Sequence, residues 1–552
     1  MTERKNAHKQ NQEKFFSPLI LLSLIFLLSS HVIFAQGNLF LNNEIYSIVD
    51  KDANALNNEL HTSVKPLNLY FLNTKFNTDS LLNFNRTGDP KSYNLFIRKL
   101  RYENLFIIDT GKLFLTIDPV FNFEFSKEKS NNRNLYNNTR GVTARGKIGS
   151  EFAFETSFYE NQSVFNNYIS NFISLYRVVP GQGFPKGFKE YGKDYAYASG
   201  LISYSPNSTF NFQFGHGKNF IGDGYRSLLL SDNAFNYPYL KITTNIWKFQ
   251  YTNLFASFLD LSSSSGFGYG WGKKFGTFHF LNISLHKCFQ VGLFESIIWQ
   301  SFEDSISGKR RGFDVNYLNP VIFYRPVEYS LGSPDNALIG LNLKFKASNT
   351  VYFYGQFIID DFDVAGMKKG KGYLLQKYGF QLGVKCLDLF KIKHLQFQTE
   401  FSQVQPYVYA HKDPHQNYVH YNQSLAHPLG ANFMESVTIV RYRFRDFLVE
   451  AKFNYALYGA DTADSHWGKN IFKRDDLAQL GFPSWGNKVL QGVKTTLMYK
   501  DFRVSYVVNP KTNMNVSLGI TNRSLYVPGN KNESYFVFVG LRTSLSNVYY
   551  DF

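Results

Sequence analysis

The chain has 552 residues with 59 Lys and Arg, 43 Asp and Glu, a formal charge of +16 at neutral pH, and only 2 Cys. Two cysteines exclude a disulfide-framed scaffold and a cysteine-rich zinc module. A mean hydropathy of -0.27 argues against a polytopic helical membrane protein, although aromatic residues make up 18% of the chain.

Residues 1–14 are polar and carry Arg4, Lys5, Lys9 and Lys14; residues 15–28 are apolar apart from Ser17, Pro18 and Ser23. A basic start, a short apolar run and a small residue before the cut mark a secretory signal peptide. Cleavage is expected after Ala35, so 1–35 is the leader. The apolar run is short of the ~20 residues a membrane helix needs, and no Cys near the cut offers a lipid anchor.

Residues 36–110 read differently from the rest. Ile45, Ile48, Val49, Ala53, Leu56 and Leu60 recur at helical spacing, with Asn42 or Asn43 as N-cap. Residues 61–82 turn irregular. A small helical, plug-like periplasmic element is expected over 36–110.

From 111 to 552 the pattern has period two. Phe121, Phe123 and Phe125 alternate with Asn122 and Glu124, and Phe152, Phe154 and Phe158 with Glu151, Glu155 and Ser157. Leu341, Leu343 and Phe345 interleave with Asn342, Lys344 and Lys346; Phe397, Thr399 and Phe401 with Gln396, Gln398 and Glu400; Val449, Ala451 and Phe453 with Glu450, Lys452 and Asn454. Each stretch therefore has one apolar and one polar strand face. A soluble sandwich would alternate in the same way. The leader, aromatic clusters such as Tyr352-Phe353-Tyr354 and Tyr549-Tyr550 read as interfacial girdles, and two classes of connection favour a membrane barrel. Tight turns are expected at Arg445-Asp446 and Lys500-Asp501, and long loops at 215–236, 405–432 and 459–487. Backbone in lipid must satisfy its own hydrogen bonds, so the strands must close. Residues 535–552 read as the last strand, and Phe552 resembles the terminal aromatic signal of barrel assembly. The expected fold is all-β, an antiparallel outer-membrane β-barrel of about 16–18 strands over 111–552.

No HExxH, GxSxG, Walker A or paired CxxC occurs. The Gly-dense stretch 215–226 is not a GxGxxG between strand and helix, so it is no nucleotide site. Asp361, Asp363 and Gly366 fit the start of an EF-hand, but Gly372 stands where its bidentate Glu belongs; an acidic rim loop is expected. His411, His415, His420 and His427 share one loop, and Pro414 keeps the first two off a common helical face. Cys288 and Cys386 lie in strand-like segments, and spacing alone establishes no pairing. No catalytic residue, cofactor or metal is expected. The positive charge is spread along the chain, which suits lipopolysaccharide, capsule or another acidic glycan rather than nucleic acid.

The run Gly215-His216-Gly217-Lys218-Asn219-Phe220-Ile221-Gly222-Asp223-Gly224-Tyr225-Arg226-Ser227 carries the most specific pattern. With Leu318-Asn319-Pro320-Val321 through Glu328, and Gly332-Ser333-Pro334-Asp335-Asn336, it resembles the Wzi-like capsule-assembly outer-membrane barrels. The resemblance is greater to their RemB-like, gliding-motility branch in the Bacteroidota. It implies a barrel of about 18 strands with an N-terminal periplasmic helical element, and no catalysis. It also implies a role in holding surface polysaccharide or in gliding, with gliding-machinery proteins as partners.

The charged residues of these loops are the candidate site. His216, Lys218, Asp223, Arg226 and Asp232, together with Arg325, Glu328 and Asp335, are expected to form one sugar-facing or lumen-closing surface. Asp223 and Glu328 would accept from hydroxyls, while Lys218, Arg226 and Arg325 would meet carboxylates, Arg in bidentate fashion. The competing expectation is that these charges pair with one another and stabilise the barrel, the glycines serving close backbone approach. A diffusion porin is the alternative function; it needs an open polar lumen, whereas the loops 215–236 and 405–432 are bulky. An outer-membrane enzyme is a third reading, without a recognisable nucleophile.

Overall fold

The computed structural model describes residues 37–82, 90–129, 133–262, 270–301, 311–320, 323–331, 335–362, 368, 370, 372–476, 484–543 and 545–552. The expected leader lies outside them, as do Asp363, Gly366 and Gly332-Ser333-Pro334.

The period-two stretches become an 18-strand antiparallel barrel. Its first strands are β1 (Leu113–Glu128), β2 (Asn134–Ile148), β3 (Phe152–Val164), β4 (Gly192–Tyr204), β5 (Phe210–Gly217) and β6 (Tyr237–Ile246). Then come β7 (Phe249–Asp260), β8 (Gly272–His286), β9 (Phe289–Gln300), β10 (Asn336–Lys346), β11 (Val351–Phe362) and β12 (Gln376–Leu387). The last are β13 (Leu395–Val404), β14 (Phe433–Phe444), β15 (Phe447–Ala460), β16 (Val493–Asn509), β17 (Met514–Val527) and β18 (Asn530–Arg542). Pairing of β18 with β1, from Phe536 opposite Glu128 to Arg542 opposite Asn122, closes the sheet and removes its free edges.

Alternation decides which side each residue takes. On β10, Ile339 and Phe345 point outward, Phe345 at 45% exposure, while Asn342, Lys344 and Lys346 are buried inside. Phe123, Phe158, Phe214, Leu382, Phe453, Leu518 and Val539 join the outer surface; Gln398, Glu400 and Asn454 join the interior. An apolar outside around a polar inside is the arrangement of a wall bathed in lipid. Among the described residues no helix is long and apolar enough to cross a membrane.

One end of the barrel carries tight connections at 149–151, 247–248, 287–288, 347–350, 445–446 and 510–513. The other carries long ones at 165–191, 218–236, 301–335, 405–432 and 461–492. By the outer-membrane pattern the tight end is periplasmic.

Three expectations are corrected. Lys500-Asp501 is no turn: it lies inside β16, opposite Asn522 and Thr521. Asp501 accepts from Thr521 Oγ1 at 2.6 Å across the lumenal face, so the polar pair is part of the ladder and the turn comes at 510–513. Residues 535–552 are not one strand. The outward apolar series Tyr535, Val537, Val539 and Leu541 stops there, β18 ends at Arg542, and the tail enters the lumen. The aromatic clusters are mostly not girdles. Only Phe353 of its trio faces outward, at 48% exposure. Tyr352 Oη donates to Asp50, Tyr354 Oη to Glu400 and Tyr549 Oη to Asp232, because a buried hydroxyl is satisfied by the polar interior.

Residues 37–82 also occupy the lumen. Helix α1 (Asn43–Ala53) starts where Asn42 Oδ1 accepts from the amides of Glu44 and Ile45 at 2.9 and 3.2 Å. Ile45, Tyr46, Val49 and Ala53 pack with Leu39, Leu41, Leu60, Leu67 and Leu72. Its polar face holds the wall: Asp50 meets Lys385 at 3.1 Å, and Glu44 pairs with Arg542 and, at 3.5 Å, with Arg503. From the opposite end, helix α2 (Asn167–Tyr176) lays Ile169 and Ile173 on Phe165 and Tyr195, with Phe552 beside them. Cys288 and Cys386 are unpaired.

Candidate functional site

The loop joining β5 to β6 turns into the barrel, and residues 219–234 are all buried. Leu228, Leu229 and Leu230 drive this. They pack among Phe258, Phe278, Phe294, Leu338 and Ile358, apolar residues on the inner wall. Two glycines let the backbone reach that wall. Gly222 has φ +152°, and a Cβ there would meet Gln356 Nε2 at 2.6 Å; a Cβ on Gly224 would meet Glu400 Oε2 at 2.6 Å. The amides of Tyr225 and Arg226 instead donate to Glu400, each at 2.8 Å.

The charges that follow find partners inside. Lys344 Nζ lies 2.6 Å from Asp223, and Ser63 and Asn342 donate to the same carboxylate. Burial alone would raise the Asp223 carboxyl; the Lys344 and Lys65 ammoniums outweigh it and hold it below the usual range. Arg226, 2% exposed, makes two 3.1 Å bonds to Glu435 and a third contact of 3.1 Å to Asp551. Burial opposes its charge, but the two carboxylates prevail and raise it further. Asp551 also receives Tyr225 Oη at 2.7 Å and Lys452 Nζ at 2.9 Å. Despite burial, Arg226 and Lys452 keep its carboxyl well below the ordinary value. Asp232 accepts from Asn547 and Tyr549, and Lys218 donates to the carbonyls of Gly181 and Asp232 at 2.7 and 3.1 Å. Burial pushes the Lys218 ammonium down to about 8.

The long loop 405–432 locks this arrangement. Tyr409 and Tyr418 donate to the carbonyls of Leu228 and Leu229 at 2.8 and 2.7 Å, and the Ser231 amide donates to Leu425. Its four histidines go to different partners. His427 bonds Glu435 at 2.7 Å, His415 meets Asp260, and His411 receives the Asp413 amide. His420 accepts from the Leu259 amide and sits 3.1 Å from the Asn236 carbonyl.

The remaining candidates lie elsewhere. His216 points out of β5, exposed, with Nδ1 3.1 Å from the Ala198 carbonyl. Arg325, Glu328 and Asp335 belong to the connection after β9, whose described residues 311–320, 323–331 and 335 lie over the outer face of β7–β10. There Tyr317 and Tyr324 cover Ile297, Trp299 and Ala337, Tyr324 Oη contacts His279, and Glu295 accepts from the amides of Phe323 and Arg325. Arg311 grips Asp335 with bonds of 2.7 and 2.9 Å, and half-exposed Arg325 pairs with Glu328 at 3.4 Å. The two candidate loops are therefore on opposite faces of the wall and form no common surface. The partners missed by motif reading, Lys344, Glu400, Glu435 and Lys452, stand at inward positions of the strands; their only signal was charge at the polar beat of the alternation.

No family model and no curated protein matches the sequence. Among solved structures the chain is similar to Wzi of Escherichia coli, described as an outer membrane protein involved in group 1 capsule assembly and a carbohydrate-binding β-barrel. The likeness has a TM-score of 0.51 at 12% identity and covers 92% of this chain and 100% of that one. OccAB2 of Acinetobacter baumannii matches at 0.43 and 9% identity over 77% of this chain and 97% of its own. OpdK of Pseudomonas aeruginosa matches at 0.42 and 9% over 78% and 98%. At these identities the likeness is one of fold.

Proposed function

We propose that the chain is a non-enzymatic outer-membrane barrel, exported by a leader over 1–35, which holds surface or capsular polysaccharide and supports gliding. The observation that carries this reading is the filled lumen. Residues 37–82 enter from the tight-turn end, 218–236 and 405–432 from the other, and the tail brings Asp551 to Arg226. A general diffusion porin keeps a water-filled channel. In this reading 37–82 act as the plug, and the inner charges of the Gly-rich loop hold it shut rather than touching glycan. The sugar-facing groups are then on the long-loop rim. Phe184 and Trp271 stand with ring centroids 5.9 Å apart, and the Arg177 guanidinium lies 5.7 Å from each ring. Aromatic faces suit sugar C–H surfaces, and Arg suits acidic substituents. Capsule assembly and carbohydrate binding by the similarly folded Wzi agree with this assignment.

The test is surface polysaccharide retention and gliding in cells carrying the double change Phe184→Ala, Trp271→Ala. Both should fall while the amount of heat-modifiable barrel in the outer membrane stays normal. Full retention and full gliding would refute the rim assignment, and recovery of the wild-type protein in a soluble fraction would refute the location.

A further inference from the structure

The filled lumen is not solid. Two of the cavities among the described residues are large, and we infer that together they form a latent conduit for small organic anions, closed by Glu44 of α1. This goes beyond polysaccharide attachment, since it assigns the lumen a transport role.

The narrower cavity, 260 Å³, runs along β1–β3 and β14–β18. Leu135 and Val164 mark its reach toward the long-loop end. The wider, 610 Å³, lies beside α1 and reaches Asp388, His394 and Lys511 at the tight-turn end. Glu44, Arg441 and Asn513 line both, so they form the partition between them. Arg441 and Asn513 belong to the barrel and its turn; Glu44 alone comes from the plug.

The chemistry of the partition identifies the solute. Glu44 pairs with Arg542 of β18 and lies 3.5 Å from Arg503 of β16. Arg542 also donates to Asn515 Oδ1 at 3.1 Å, and Arg503 also lies 3.8 Å from Asp501. The wall of the narrow cavity carries Arg441, Lys452, Arg503 and Arg542 against Glu124, Glu450 and Asp501. Glu44 thus balances a wall that is otherwise cationic. Its carboxylate occupies the position where two guanidinium groups converge, and an arginine fork is matched to carboxylate geometry. A cleft lined by an excess of one sign concentrates counter-ions. With α1 displaced, the same two arginines are presented to a passing carboxylate. A volume of 260 Å³ has room for a small sugar acid or short-chain carboxylate.

Full-length protein in planar bilayers tests this. Wild-type protein should be silent for most of the record. Glu44→Gln keeps the side-chain shape and removes the charge; its open probability should rise about tenfold, and reversal potentials in a KCl gradient should show anion preference. Glucuronate added to one side should permeate or block the open state. Arg542→Gln loosens the same latch from the wall: it too should open, with the anion preference reduced. It serves as the test should Glu44→Gln not assemble. Silence in both variants, or a cation-selective pore in Glu44→Gln, overturns the inference. Glycan retention should be normal in Glu44→Gln cells, so failure of the conduit and failure of the rim assignment are read separately.

Discussion

Arg226→Gln is the perturbation that separates the plug from the wall. The guanidinium is buried, bound twice to Glu435 and once to Asp551. Removing one partner of a buried ion pair costs about 3–5 kcal/mol, because the other charge is left uncompensated. Here the residual charges keep some partners. Glu435 retains His427, and Asp551 retains Lys452, Tyr225 and Asn454. The lower end, about 3 kcal/mol, is therefore expected, which is roughly a hundredfold in an opening equilibrium. The backbone ladder of β14 with β13 and β15 does not involve Arg226, so the loss falls on loop 218–236 and tail 545–552. Hydrogen exchange read by peptide mass spectrometry in lipid nanodiscs measures this directly, since local opening free energies set protection. Peptides from both segments should lose about two decades of protection while those from β14 and β15, and heat-modifiability on gels, are unchanged. Equal loss in plug and wall, or no loss in either, would refute the assignment of these charges as the latch of a plug.

Other outcomes follow from the same geometry. Burial depresses His61 to about 4, helped by Lys344 and Lys346, and His420 to about 3. Each folded value lies below the ordinary ~6.5, so the stability these neutral rings contribute is complete above that value and is lost as the pH falls toward the folded one. Asp223 and Asp551, held below ordinary carboxylates, lose their contribution only at still lower pH. Exchange of 54–68 and 405–432, corrected for the intrinsic rate, should therefore quicken between pH 7 and about 4.5 with the strands unaffected; a flat profile would contradict it. Phe552 packs on Phe172 with ring centroids 4.9 Å apart, and its main-chain oxygen accepts from Arg523. Phe552→Asp should leave barrel assembly normal and loosen the tail; loss of assembled barrel would show that the terminal aromatic acts in biogenesis instead. Val539→Arg places a charge on the exterior of β18 and should cost about 2–4 kcal/mol if it lies near the bilayer midplane, read as reduced heat-modifiable protein, whereas unchanged assembly would remove that strand face from the lipid.

The alternation made the wall legible and left the lumen's contents obscure. A side chain one position along a strand must change face, so Asn342, Lys344 and Glu400 were assignable to a polar interior from spacing alone. No such rule governs a loop. Asp223 and Asp335 both sit in Gly-framed connections at the same end of the barrel, yet one is lumenal and the other straps the outside. What sends them apart is the apolar content nearby. Leu228-Leu229-Leu230 finds apolar inner-wall partners in Phe258, Phe278 and Leu338, while Tyr317 and Tyr324 find Ile297 and Trp299 on the outer wall. Polar partners are distant too, Gln356 lying 128 residues from the Leu228 amide it receives and Glu295 28 residues from the Phe323 amide, so no local pattern announces them. The tail shows the same limit. Tyr549 and Phe552 have the aromatic character of a terminal strand, but Asp551 is charged, and a carboxylate at the lipid interface is less favourable than one between Arg226 and Lys452. Charge in an otherwise aromatic segment was the signal for entry into the lumen, and it gains its meaning only once the polar interior to receive it is known.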